Sequence, residues 1–175
     1  LLKEDYKLAI LSRGYKRQTK GFQIASNGST ALSIGDEPFQ FYQKFKDIVV
    51  CVDTNRQNGI IELQNLKHPP DVILLDDGFQ HRKVKAGLNI LLTTYNRLYR
   101  NDFLLPTGDL REPKSGAKRA DIIVVTKCPI ELGNDEQSKI ISLLKPCNHQ
   151  KVFFSYIKYS NIIFSALDRK PLETL

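Results

Sequence analysis

The chain has 175 residues and not one methionine. A natural chain begins with Met, so the reading is that residue 1 is not the native start, or that the chain was cut at both ends. Long apolar runs are also missing. The longest are about five residues, against the roughly 20 that a membrane-spanning helix needs. The first residues, Leu1-Leu2-Lys3-Glu4-Asp5-Tyr6, turn charged at once, which excludes a secretory leader in this stretch. Cysteine is scarce: Cys51, Cys128 and Cys147 are far apart, with no C-x-x-C pair. That excludes a disulfide framework and a thiolate metal site, and leaves reduced thiols acting as small hydrophobes. There is no internal repeat and no low-complexity tract.

What is present is ordinary globular usage, 41% hydrophobic and 26% charged, enough for one well-buried domain. The formal net charge of +7 suits an anionic partner: nucleic acid, an anionic membrane surface or a phosphorylated substrate. Charge alone does not choose among them.

Short apolar runs recur along the chain at 7–12, 48–52, 72–75, 88–92, 122–125 and 152–154. Most are β-branched and continuous rather than alternating, which predicts strands buried on both faces of one mostly parallel sheet. Helical patterns lie between several of them. Residues 38–45 place Pro38 in a first turn with Phe39, Tyr42 and Phe45 on one side. Residues 56–66 carry Ile60, Leu63 and Leu66. Residues 134–145 start with Asn134 and Gln137 in capping-box spacing, then bury Ile140, Ile141, Leu143 and Leu144. Strands alternating with helices predict an α/β three-layer fold, with ligands bound beyond the carboxyl ends of the strands. Residues 95–120 are long and irregular, as functional loops often are. The expected organisation is one α/β core over 1–158, then a linker or the start of another domain over 159–175.

Four stretches carry chemistry. In Val72-Ile73-Leu74-Leu75-Asp76-Asp77-Gly78-Phe79-Gln80-His81 an apolar strand ends in two carboxylates. This is the pattern of a Walker B strand, which brings an acidic group to the sheet edge to hold Mg²⁺ beside a nucleotide phosphate. The plainer reading is a strand closed by an Asp-Gly turn. Gly35-Asp36-Glu37-Pro38 is a good helix start, with Asp36 as cap. It also sets a carboxylate where it can take a proton from an attacking hydroxyl. In Leu105-Pro106-Thr107-Gly108-Asp109-Leu110-Arg111-Glu112-Pro113, Arg111 suits a phosphate, or else makes a structural Arg–Glu contact. Ser12-Arg13-Gly14-Tyr15-Lys16-Arg17, with Arg56 after the next strand, crowds positive charge at strand ends, or is a solvated basic loop. Asp53 is a weaker acidic strand end, and Lys127 ends a strand on the same side. His68 and His149 read as surface loop residues.

In this order, Ser12–Tyr15, Gly35–Pro38, Arg56, Asp76–His81 and Leu110–Pro113, the motifs resemble the lipid A 4′-kinase (tetraacyldisaccharide 4′-kinase) family over residues 8 to about 127. The resemblance implies a P-loop-kinase-like fold: a mostly parallel sheet with helices on both faces, α/β/α. It implies transfer of the ATP γ-phosphate, with Mg²⁺, to the 4′-hydroxyl of a tetraacyldisaccharide 1-phosphate, at the cytoplasmic face of the bacterial inner membrane. It makes Asp36 the general base, and Asp76 and Asp77 the Walker B carboxylates, with Asp76 on Mg²⁺. Glu37, Gln80, His81, Arg56 and Arg111 then line the site and help position phosphates.

The departures are specific. No G-x-x-x-x-G-K-[ST] occurs in the 175 residues. The family's P-loop, its N-terminal membrane anchor and a C-terminal histidine that pairs with the base are expected outside this chain. Lys16 stands where the family often has Gly, and Pro106-Thr107-Gly108-Asp109 replaces the commoner Pro-Ala-Gly-Pro. Without the P-loop the isolated chain is expected to bind ATP weakly or not at all, to lack kinase activity, and to self-associate. Two alternatives stand beside this reading: another Walker-type NTPase or kinase, and a basic nucleic-acid-binding module. Against the second, aromatics do not interleave with Lys and Arg, and no nucleic-acid motif appears.

Overall fold

The computed structural model describes residues 2–159, 162–164 and 169–171. The chain forms two compact units, Leu1–Ala86 and Gly87–Leu175, where the sequence reading groups 1–158 as one core. The parallel strands correspondingly form two sheets rather than one.

The first unit opens with the short helix α1 (Leu2–Asp5), then β1 (Leu8–Ser12). After these come β2 (Gln23–Ile24), α2 (Ala31–Ile34), α3 (Asp36–Lys44) and β3 (Val49–Val52). It closes with α4 (Arg56–Gln64) and β4 (Val72–Leu75). The sheet order is β2-β3-β1-β4. Central β1 is parallel to both β3 and β4, and every one of its residues is buried. Only β2, antiparallel on β3, was not legible from apolar patterning, because Gln23 and Ile24 are both exposed. Ala9, Leu11, Cys51 and Leu63 form the core, with Phe22, Val49, Ile60, Leu66, Ile73 and Leu75 packed around them. Helix α4 thus covers β1, and α3 packs on β3.

Helix starts differ from the expected caps. Gly35, at φ 96°, is the N-cap of α3, so Asp36 is its first helical residue and not the cap. Thr30 instead makes a reciprocal capping box with Ser33 on α2. Asn134 likewise does not cap: Gly133 does, and the Gln137 side chain donates to the Leu132 carbonyl.

The second unit holds β5 (Ile90–Thr94), β6 (Ile122–Thr126) and β7 (Lys151–Phe154), parallel in the order β5-β6-β7. Helix α5 (Asn134–Leu144) buries Ile140 and Leu144. Tyr99 and Arg100 donate to the Leu144 carbonyl, satisfying a helix-end acceptor. Burial on both faces, expected from the continuous runs, holds for β1 and for most of β3. It does not hold for β5 and β7. Ile123 and Val125 are buried on one face, while Ile90, Leu92 and Phe153, in register on the other, are about half exposed or more. One parallel pair in each unit, β1–β4 and β5–β6, is closed in the same way: Asp71 accepts from the Lys7 N–H at 2.8 Å, and Asp121 from the Asn89 N–H at 2.7 Å.

The irregular region 95–120 contains two 3-10 helices, Tyr99–Asn101 and Lys114–Arg119. Most of the expected terminal segment, 159–175, lies outside the described residues. Within it, β8 (Ile162–Phe164) and β9 (Arg169–Pro171) pair antiparallel. Among the described residues no helix is long and apolar enough to cross a membrane.

Candidate active site

Three strands of the first unit end side by side. Ser12 closes β1 opposite Val52, and Leu11 lies opposite Leu75. The next residues on β3 and β4 are therefore delivered to the same edge. The Asp53 N–H donates to the Ser12 carbonyl (3.0 Å), and the Asp76 N–H to the Leu11 carbonyl (3.1 Å). Hydrogen bonding thus extends one residue past each strand and fixes both acidic residues beside β1. This is the edge at which α/β folds bind ligands.

Asp76 is half-buried, and its Oδ2 is fully shielded with no hydrogen-bond partner. Asp77 follows at φ 47°, which turns the chain sharply. Gly78 is required there, because a Cβ would lie 2.8 Å from the Leu75 Cβ. The turn returns the chain so that the His81 N–H donates to the Gly78 carbonyl (2.9 Å). His81 Nε2 is also shielded and unpartnered, while Gln80 is exposed. An unpaired buried polar atom is costly. Two of them within six residues, on a motif picked out for its chemistry, mark this turn as built for something other than its own stability.

Arg56 opens α4 and is buried. Its guanidinium donates from Nη1 to the Asp53 carbonyl (2.5 Å) and from Nη2 to the Asp76 carbonyl (3.4 Å). Burial and the neighbouring Arg13 lower its pKa, while Asp76, Asp77 and Asp53 act in the opposite direction. Arg13 therefore does crowd positive charge at this edge, as the sequence suggests. Arg17 does not join it. Its side chain turns inward, donating to the carbonyls of Gly21 (2.6 Å) and Val52 (3.5 Å). Exposed Lys16 lies over the Tyr15 ring.

The Ser-Arg-Gly-Tyr loop and the Gly-Asp-Glu-Pro helix start meet through their glycines. Gly14 and Gly35 both have positive φ, and a Cβ on Gly35 would lie 3.2 Å from the Gly14 Cα. This contact seats the first turn of α3 against the loop leaving β1, with Asp36 and Glu37 exposed in that turn.

Arg111 and Lys127 belong to the second unit, so Lys127 is not on the sheet edge with Ser12, Asp53 and Asp76 as expected. Exposed Lys127 sits at φ 57° after β6. Within the Leu-Arg-Glu-Pro motif, Glu112 accepts from Arg119 through both oxygens, at 2.8 and 3.0 Å. Gly116 lies beneath that carboxylate with no room for a Cβ. The preceding turn is held by Asp102, which sequence reasoning passed over. Its Oδ1 accepts from the N–H groups of Phe103 (2.8 Å) and Asp109 (3.3 Å), and its Oδ2 faces Arg97 at 3.4 Å. The Phe103 N–H above all holds this carboxyl below the usual range. An Asp a few residues before a Pro/Gly turn was the available signal. His68 is exposed, as expected. His149 is exposed too, with its ring nitrogen 3.2 Å from the Ala120 carbonyl.

A family model described as tetraacyldisaccharide-1-P 4′-kinase matches residues 1–170. Among curated proteins, a tetraacyldisaccharide 4′-kinase of Flavobacterium johnsoniae is 56% identical over 164 residues, covering 94% of this chain and 48% of that protein. One from Bacteroides fragilis is 52% identical over 163 residues, covering 93% of this chain and 43% of that protein. A crystal structure of LpxK from Aquifex aeolicus, described as an "apo" form in complex with ATP, superposes with a TM-score of 0.63 at 29% identity. The match covers 91% of this chain and 64% of that one. The chain spans about half the length of the curated relatives it matches.

Proposed function

Because this chain belongs to the tetraacyldisaccharide-1-P 4′-kinase family, we propose that the protein containing it transfers the γ-phosphoryl group of ATP to the 4′-hydroxyl of a tetraacyldisaccharide 1-phosphate. The carrying observation is the single sheet edge that gathers the ends of β1, β3 and β4, with Arg56 tied to the residues that follow two of them. A separate Walker-type NTPase would need only Asp76. The further seating of the Gly35–Glu37 turn against the loop after β1 favours a kinase with a hydroxyl acceptor.

In this reading Asp36 is the general base. It lies in the first turn of α3 and is exposed to an incoming hydroxyl. It takes the proton of the 4′-hydroxyl as the oxygen attacks phosphorus. Glu37, one residue on, orients the acceptor. The residues present fit a bound Mg²⁺: the shielded, unpartnered Asp76 Oδ2 is a ligand oxygen without a ligand, and Mg²⁺ is typically held by one or two carboxylates together with phosphates and water. Asp76, with Asp77, would hold the ion, which when bound neutralises charge on the phosphate oxygens. Gln80 and His81 line the same turn. Arg56, tied to the Asp76 carbonyl, holds positive charge at that edge, and Arg111 keeps the phosphate-positioning role that family membership implies for it. The net charge of +7 suits a protein working on an anionic glycolipid at the cytoplasmic face of an inner membrane. The isolated 175 residues carry no G-x-x-x-x-G-K-[ST]. They bind Mg·ATP weakly or not at all and self-associate through exposed apolar surface such as Leu92 and Phe153.

The test is a phosphorylation assay on the full-length protein with a lipid disaccharide acceptor. Asp36→Ala lowers turnover by roughly 10²–10⁴-fold, the usual worth of a general base. Asp76→Ala impairs Mg²⁺-dependent turnover. Wild-type rates in both variants would remove this mechanism. Calorimetry with Mg·ATP on the 175-residue chain checks the second statement, and tight binding would contradict it.

A further inference from the structure

Asp53 is absorbed by none of the roles above, yet it is among the most completely buried residues of the chain, at 2% exposure. A buried carboxylate is expensive unless each oxygen is paired. Here both are. Oδ1 accepts from the Asn55 N–H at 2.8 Å, and Oδ2 from the Asn58 side-chain amide at 2.8 Å. These bonds fix the entry to α4, where Asn55 is the N-cap and Arg56 the first helical residue. The Asp53 carbonyl then takes Arg56 Nη1, and the other arm of the same guanidinium reaches the Asp76 carbonyl. The Asp53 charge also acts on Arg17, opposing the effect of that guanidinium's burial. The result is a continuous path of contacts: Asn58 and Asn55 on Asp53, Asp53 on Arg56, Arg56 on the backbone of Asp76. Asp76 ends in the one carboxylate oxygen among the described residues that is shielded and without a partner.

We infer that Asp53 is a positioning residue for the metal-holding carboxylate: through Arg56 it fixes the backbone of Asp76, and so the direction of the Asp76 side chain. The inference rests on the reading of Asp76 as the Mg²⁺ ligand. Arg56 is spent on two backbone carbonyls rather than aimed outward, which is the geometry of a strut. The Asp53 charge offsets two partly desolvated guanidiniums, so Arg56 stays seated without an anion at the site. Removing that charge leaves Arg56 with less to hold it, and the Asp76 carbonyl loses its clamp while its N–H stays on Leu11. Groups supporting a metal ligand from behind are typically worth 10–100-fold in metal affinity or activity.

The experiment uses the full-length protein with Asp53→Asn, a near-isosteric change that removes the charge, and with Asn58→Ala, which removes one bond and leaves the carboxylate in place. The readout is Mn²⁺ binding, followed by loss of the free-ion paramagnetic resonance signal, with a non-hydrolysable ATP analogue present. Mg²⁺ dependence of turnover is measured alongside. Asp53→Asn is expected to weaken Mn²⁺ binding by about 10-fold or more, and to lose turnover that added Mg²⁺ largely restores. Asn58→Ala moves both quantities in the same direction by less. Should Asp53→Asn not fold, the Asn58→Ala result decides. Unchanged Mn²⁺ affinity in the folded variants, or a turnover loss that Mg²⁺ does not restore, overturns the inference. Asp76→Ala separates the two levels: if it binds Mn²⁺ like wild type, the metal reading itself fails. If it loses Mn²⁺ while the other variants do not, only the role of Asp53 fails.

Discussion

Gly59→Ala sets two well-understood effects against each other. Gly59 lies inside α4, where alanine is ordinarily better than glycine by roughly 0.5–1 kcal/mol. Propensity alone therefore predicts a more stable protein. The new methyl, however, would lie 2.8 and 2.9 Å from the two Leu11 methyl carbons and 3.2 Å from the Asp53 Cβ. Both Leu11 methyls are crowded at once, so turning one away does not clear the other. Leu11 is fully buried in the core with Ala9, Cys51 and Leu63, which leaves little room for retreat. Overpacking of this kind costs typically 1–3 kcal/mol. The cost exceeds the helical gain, giving a net destabilisation of about 0.5–2 kcal/mol. Because the chain forms two compact units, a single unfolding midpoint is a poor measure. Amide hydrogen exchange, read on peptides covering β1 and α4, reports the first unit by itself. Exchange there should quicken, by about tenfold for a loss of 1.4 kcal/mol. A double-mutant cycle sharpens the test: against a Leu11→Ala background the space is open, and Gly59→Ala should become neutral or favourable. Slower exchange in the single variant, or the same penalty in both backgrounds, would refute the packing argument.

Three further outcomes are expected. Lys145 ends α5 at φ 49°, so Lys145→Gly should stabilise the second unit by up to about 1 kcal/mol, read as slower exchange in α5. The Cys51 thiol is pushed up to about 12, by burial first and by Asp53 next. At pH 8 it should resist a thiolate-directed reagent until denaturant is added, while the partly exposed Cys147 reacts first; early modification of Cys51 in mass spectra would contradict this. Asp102 has its carboxyl lowered by the Phe103 N–H. Its stabilising effect is therefore complete above the ordinary carboxylate range and declines as pH falls through about 4 and below. Denaturant unfolding followed by a probe in the second unit should differ between wild type and Asp102→Asn at pH 7 and converge in acid, and a gap that widens in acid would reverse the sign.

Much of this protein is legible in local sequence. Continuous β-branched runs located β1, β3, β4, β5, β6 and β7 within about two residues, because β-branched and aromatic side chains favour extended backbone even where, as in β5 and β7, one face stays exposed. The Asp76–His81 turn was visible as a strand ending in carboxylates, and Asp-Gly chemistry alone dictates its sharp reversal. Caps were harder. Asp36 and Asn134 have capping side chains, but Gly35 and Gly133 take those places, since the choice depends on how the preceding chain approaches. For Gly35 that approach is set by contact with Gly14, some twenty residues away in sequence.

What the sequence by itself determined was the inventory: which segments extend, which coil, and which charged residues stand at their ends. Only the tertiary structure decided the partners. An apolar run carries no mark of which strand it will pair with, so the division into two sheets was not readable, nor was the assignment of Lys127 and Asp76 to strands of different sheets. Asp53 shows the same limit most clearly. As a letter it is one acidic residue after a strand. Its burial, its two amide donors and its link through Arg56 to Asp76 exist only once α4 has folded back over β1. The physical reason is that secondary structure is fixed by neighbours in sequence, whereas a buried charge is tolerated only where distant parts of the chain converge to pair it.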